Sequence, residues 1–131
     1  MLKVQTYVAE STIPDAGMGL FAKAFIARGT VVWELELNGD TALTPAAFAS
    51  LAKHEQAHIL HFGYLDRALG LYIRCGDDGH YVNHSESPNI AGVPNDEGRS
   101  YSVAIRDIPA GVEILDDYRT YDDAMHAKGL S

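Results

Sequence analysis

The chain has 131 residues, 47% of them hydrophobic, which is enough for one adequate core and matches the size of one ordinary domain. Its formal net charge of −8 and pI near 5.0 argue against direct nucleic-acid binding, since phosphate contacts need surplus Lys and Arg; a basic protein or peptide segment suits such a surface better. The single cysteine, Cys75, excludes an internal disulfide and a Cys-rich zinc cluster, and no apolar run reaches the roughly 18 residues that a bilayer span needs.

Residues 1–11 mix Lys3, Gln5 and Glu10 with scattered apolar side chains and lack the basic-then-apolar layout of a secretion signal. A cytoplasmic protein is expected, or a nuclear one in a host with a nucleus. Short strands are predicted over residues 3–9, 20–25 and 30–37, where Val31, Val32, Trp33 and Leu35 favour a pleated surface. Turns separate them at residues 14–17 and 27–29. From Thr44 the period changes: Pro45 follows a Thr cap, and Phe48, Leu51, Ile59 and Phe62 recur on one helical face, which predicts one helical segment over about residues 44–63. After Gly63 the pattern returns to β, with strands over residues 71–74, 89–93, 100–105 and 112–118 and a Pro/Asn/Asp/Gly loop at residues 94–98. The polar tail, residues 119–131, is a short helix or irregular. No repeat or linker divides the chain. Periodicity thus yields a mainly β domain of short strands with one inserted helix.

Three segments carry chemistry. Gly17, Met18, Gly19, Leu20 and Phe21 form a glycine-paired stretch; such glycines often serve only a turn, but they also let backbone approach a cofactor closely. Tyr81, Val82, Asn83, His84, Ser85, Glu86, Ser87, Pro88 and Asn89 are more specific, although Asx and Pro turns account for part of that composition. The stretch from Ala104 through Pro109, Gly111, Val112, Glu113 and Ile114 to Asp117 and Tyr118 sets a tyrosine at a strand end; alone, such a tyrosine is more often a core or surface aromatic.

In this order and at these separations, the three segments resemble the G-x-G-L, N-H-S-x-x-P-N and G-E-E-L-x-x-D-Y segments of the SET-domain family of protein lysine methyltransferases. The resemblance runs from about Lys3 to Tyr118. It implies the SET-domain (β-clip) fold: a domain over residues 1–120 of small curved sheets, with a knot-like C-terminal threading that brings Asn83 and His84 beside Tyr118. It further implies S-adenosylmethionine as cofactor and a lysine of a histone or another lysine-rich protein as substrate. By the resemblance, backbone groups of Met18 and Gly19 hold the cofactor's carboxylate end, Asn83 binds its amino-acid portion, the His84 backbone meets the adenine, and Tyr118 turns its hydroxyl toward the methyl group. Tyr72 and Tyr81 are candidate walls of the lysine channel, although core positions suit both equally.

The sequence departs from the family in three places. Glu86 stands where cysteine is frequent, no cysteine follows Tyr118, and Gly111-Val112-Glu113 replaces G-E-E, a change expected to be tolerated. Without a zinc-binding tail, channel closure falls to Tyr121 in the tail or to a second copy of the chain, and the resemblance to small stand-alone members of the family keeps a homodimer as one of these two alternatives.

The same sequence admits rival readings. His54, Glu55 and His58 match the H-E-x-x-H pattern of zinc hydrolases, but His61 stands where the extended motif needs glycine and no third ligand is evident, so a polar helix flank is the better account and no metal is expected. Cys75 and His80 lack an orienting third group. A SET-like interaction module without catalysis is the remaining alternative, disfavoured by the retention of both Asn83 and Tyr118.

Overall fold

A computed structural model of the chain describes residues 1–36, 39–66, 69–93 and 100–118. Tyr121 and the rest of the predicted tail, together with the loop at residues 94–98, lie outside them.

The chain opens with an antiparallel hairpin, β1 (Thr6–Glu10) and β2 (Met18–Ala22), in register Thr6↔Ala22 through Glu10↔Met18. Its connection closes through Ser11 N–H on Gly17 O at 2.8 Å, and Gly17 takes φ +76°, where a side chain would be strained. Strand β3 (Val31–Glu34) pairs with β9 (Tyr101–Ala104), which in turn pairs with β8 (Ile90–Val93) in register Ile90↔Ala104. The expected strand pair on either side of residues 94–98 is therefore present and antiparallel.

A second three-stranded sheet, ordered β4-β6-β5, comprises β4 (Thr41–Leu43), β5 (Gly63–Asp66) and β6 (Leu71–Arg74). The predicted helical segment sits between its first two strands but is split into α1 (Pro45–Ala49) and α2 (Lys53–Phe62). Thr44 caps α1 by accepting the Ala47 N–H at 3.1 Å, as its place before Pro45 predicts. The break has a side-chain cause. Gln56 Nε2 donates to Phe48 O at 3.1 Å and Leu51 O at 3.2 Å, satisfying carbonyls that a continuous helix would have used, while Glu55 reaches back to the Ala52 N–H at 3.2 Å. Ala52 offers no side-chain oxygen in return, so this is half of a capping box.

Two apolar clusters fill the molecule. Leu20, Ala22, Ile26, Val32, Ile90, Ala104, Ile108 and Ile114 form the main one; Trp33, Ile73 and Cys75 form the other, and Leu2 packs against both. Each fully buried side chain such as Leu20 or Ile114 contributes about 1.5–3 kcal/mol relative to exposure.

The C-terminal stretch is held along both edges. On one side, Gly111 N–H bonds Ala22 O at 2.7 Å, Ala22 N–H bonds Val112 O at 3.0 Å and Ile114 N–H bonds Leu20 O at 2.8 Å. On the other, the short strand β10 (Leu115–Asp116) lies parallel to β7 (Asn83–His84), with Leu115 opposite Asn83 and Asp116 opposite His84. Asn89, 7% exposed, locks this crossing: its Nδ2 donates to Glu113 O and its Oδ1 accepts the Leu115 N–H, both at 2.8 Å. This double clasp is the form taken by the expected knot-like arrangement. Only two residues of the predicted 112–118 strand enter the β7 ladder, because the chain leaves β2 for β7 midway.

Two outcomes test these packing relations. Asn89→Ala strands the Glu113 carbonyl and the Leu115 amide, and is expected to cost about 2–5 kcal/mol in urea unfolding; a loss under about 1 kcal/mol shows that water replaces the side chain. Asp116 is 4% exposed, and burial raises its carboxyl from 3.8 to about 7, against the Asp117 N–H bonded to Oδ1 at 2.8 Å and with the Asp117 charge adding to the rise. Between those values the unfolded chain has released the proton that the folded chain keeps, so this group's contribution to stability falls as pH rises. Asp116→Asn copies the neutral form. It is expected to exceed wild type in stability at pH 8, with the gap closing toward pH 4; a gap of constant size at pH 4, 6 and 8 refutes the assignment.

Candidate active site

The site is built where β2, β7 and the end of β10 converge. Asn83 Nδ2 donates to Met18 O at 3.0 Å and to Glu113 Oε2 at 3.2 Å, so the glycine-paired segment and the Asn-His segment are bonded directly. Glu113 is 4% exposed and receives three more hydrogen bonds: from Ser11 Oγ at 2.8 Å, Thr12 N at 2.8 Å and Thr12 Oγ1 at 2.5 Å. Burial pushes its carboxyl up, but the donors on Thr12, Ser11 and Asn83 together outweigh it and hold the group below its ordinary value. Gly19 makes this possible, because a Cβ there would lie 2.3 Å from Glu113 Oε2 and 3.2 Å from Asn83 Nδ2.

Tyr118 reaches the same place from the far end of β10. Its N–H donates to His84 Nδ1 at 3.0 Å, its ring centroid lies 5.3 Å from that of His84, and its hydroxyl donates to Val82 O. Since Nδ1 accepts the Tyr118 amide, the 3.7 Å approach of Asp117 Oδ1 to that nitrogen is not a hydrogen bond. The loop beyond His84 is shaped by Ser85 Oγ accepting the Ser87 N–H at 3.0 Å and by the Arg106 guanidinium on Pro88 O at 2.9 Å. The first of these contacts gives Ser85 a structural purpose.

The structure therefore brings Met18, Gly19, Asn83, His84 and Tyr118 together. Tyr81 ends a 3₁₀ turn (Asp78–Tyr81) just before them and packs against the main core, with its ring 4.2 Å from that of His80. His80 meets Phe62 of α2 at 5.1 Å, so an aromatic line runs from the helical insertion to the residue before Val82. Tyr72 stands in β6 with its ring stacked on Phe48 at 3.8 Å and 10°, so one of its faces is spent on packing. Tyr121 lies outside the described residues.

An open groove of about 630 Å³ runs along the β1–β2 connection, lined among others by Ser11, Thr12, Ile13, Gly17 and Met18. Elsewhere, the reactive-looking residues are occupied structurally. Cys75 is buried with Trp33 and Ile73, and burial pushes its thiol up to about 12, far from a thiolate nucleophile. Glu55 caps α2, His58 lies against Phe62 at 4.8 Å, and no group of three metal-ligating side chains is assembled among the described residues.

Glu113 is the member of the site that the sequence did not single out. The sequence carries it only through the resemblance of Gly111-Val112-Glu113 to G-E-E, with no role attached, and a carboxylate on a strand between apolar neighbours usually marks a solvent-facing position.

The family model described as the SET domain matches residues 17–119. Among solved structures, a candidate histone methyltransferase of Plasmodium falciparum is 16% identical with a TM-score of 0.63, covering 89% of this chain and 95% of that one. Chaetomium thermophilum Polycomb Repressive Complex 2 is similar in two forms. One, in an autoinhibited conformation bound to S-adenosylmethionine, is 22% identical with a TM-score of 0.69 over 99% of this chain; another is 24% identical with a TM-score of 0.71 over 97%. In both, the chain spans only 17% of the matched one, and these likenesses speak to fold. No curated protein sequence matches the chain. With three motifs converging on one site and a family match over most of its length, the chain belongs to the SET-domain family.

Proposed function

We propose that the chain is an S-adenosylmethionine-dependent protein-lysine N-methyltransferase acting on a lysine in a basic segment of a histone or another lysine-rich protein. The observation that carries this reading is the meeting of three distant segments through Asn83 Nδ2 on Met18 O and Tyr118 N–H on His84 Nδ1. Family membership and the net charge of −8, complementary to a basic substrate, support it.

The residues present suit that cofactor. Both acceptors of the Asn83 amide nitrogen lie on one side, which turns Oδ1 the other way as an acceptor for an α-ammonium group. Ser85 N–H bonds Asp116 O, so strand alternation turns the His84 N–H and C=O to the opposite edge, where a base edge can be met. At Gly17 an added Cβ would meet nothing within 4 Å, which leaves the connection's outer side open. When bound, S-adenosylmethionine supplies a methyl group activated on a sulfonium.

The protein's own work is alignment and exclusion of water, because an in-line displacement needs the reacting atoms on one axis. The Tyr118 O–H donates a hydrogen bond to Val82 O, so the oxygen's lone-pair side faces away from that carbonyl and can accept weak C–H bonds from a polarised methyl. Nearby positive charge disfavours a second cation, which helps the incoming lysine enter as the neutral amine. Tyr81 suits the alkyl stem of that lysine as an aromatic wall.

Calorimetry with S-adenosylmethionine, followed by labelled methyl transfer into host-cell extract and mass spectrometry of the modified residue, tests the proposal. Binding and transfer to a lysine are expected; a wild-type chain that ignores the cofactor overturns the reading. Tyr118→Phe keeps the ring against His84 and removes the hydroxyl. Transfer should fall on the order of a hundredfold or more while the Kd for S-adenosylhomocysteine stays within about threefold. Unchanged transfer in that variant takes the hydroxyl out of the reaction.

A further inference from the structure

Resting on the methyltransferase reading, we infer that Glu113 is a positioning residue whose carboxylate, anchored by Ser11 and Thr12, fixes which way the Asn83 amide faces and so aims Asn83 Oδ1 at the cofactor's α-ammonium group. A side-chain amide has two orientations of nearly equal shape, and only its partners distinguish them. Asn83 Nδ2 meets two acceptors, Met18 O at 3.0 Å and Glu113 Oε2 at 3.2 Å. A turned amide would set Oδ1 against both, oxygen against oxygen, and against an anion in one case.

The carboxylate is itself held so that it can only accept. Oε1 receives the Thr12 N–H and hydroxyl, and Oε2 receives the Ser11 hydroxyl as well as Asn83. Glutamine cannot fill this place. With its oxygen kept toward the Thr12 N–H, its NH2 would face Asn83 Nδ2, donor against donor, and the Asn83 amide would turn. That turn would present an NH2 group where the ammonium arrives. Gly19 supplies the remaining condition, since a Cβ there would strike Glu113 Oε2 at 2.3 Å and crowd Asn83 Nδ2 at 3.2 Å.

The test is a binding comparison between S-adenosylhomocysteine and its analogue lacking the α-amino group, by calorimetry on wild type, Glu113→Gln and Ser11→Ala. Wild type should prefer the amine-bearing ligand by roughly ten- to hundredfold, the worth of a charge-assisted hydrogen bond. In Glu113→Gln that preference should shrink to within about threefold, through weaker binding of S-adenosylhomocysteine with the analogue's affinity retained. A purely structural role weakens both ligands together and preserves the ratio, which overturns the inference. If Glu113→Gln fails to fold by circular dichroism, Ser11→Ala decides: loosening Oε2 should cut the preference by at least about threefold, and an unchanged ratio rejects the idea. A wild-type chain that binds S-adenosylhomocysteine without preferring the amine refutes this inference and leaves the methyltransferase reading intact; one that binds neither ligand removes both.

Discussion

Taking the Glu113 carboxylate out of water costs several kcal/mol, and the chain offsets that cost with donors drawn from two regions: Ser11 and Thr12 on the first hairpin connection, and Asn83 on the strand that meets the C-terminal segment. Residues more than 60 apart in sequence must therefore come together for the charge to be stable. The same requirement explains the bare backbone at Gly19, which sits where a methyl group would displace the carboxylate. A buried anion with a full set of donors also resists relocation, because every alternative arrangement strands it.

From that fixed point the path to Tyr118 is short. Ile114 and Leu115 leave Glu113 bonded to β2 on one edge and to Asn89 on the other, so the backbone has little freedom before Asp116. Tyr118 then meets the Asn-His strand twice, through its amide on His84 and its hydroxyl on Val82. Its aromatic ring is thus held at both ends, by the His84 imidazole at its amide and by the Val82 carbonyl at its hydroxyl.

Much of this was legible in the sequence, and the failures have physical reasons. Asn83, His84 and Tyr118 could be found because their segments combine turn chemistry with residues that packing alone rarely selects. The strand Leu71–Arg74 was read with the bounds it has, since Tyr72 and Ile73 favour a pleated surface and Gly70 and Gly76 flank it. The predicted helical segment runs to Gly63, yet Gly63 begins β5: its φ of −139° is ordinary extended backbone, and it is glycine because a Cβ would lie 2.0 Å from Ile73 O. The three residues of β4 are too few to show alternation. The helix break at Ser50 to Ala52 carries no Gly or Pro, and goes with Gln56 reaching back to the carbonyls of Phe48 in α1 and Leu51 in the break, a contact invisible to periodicity. Glu113 enters the sequence reading through the G-E-E resemblance but with no role, because a strand carboxylate carries no mark of whether it faces water or a nest of donors.

The helical insertion hangs from a sheet of its own, β4-β6-β5, and its floor of Ile73 and Cys75 belongs to a cluster distinct from the one beneath Leu20 and Ile114. Gln56 further ties the two helices to each other without help from the rest of the molecule. A change on the outward faces of this segment therefore leaves the clasp around Glu113 in place, since every donor to that carboxylate comes from Ser11, Thr12 or Asn83.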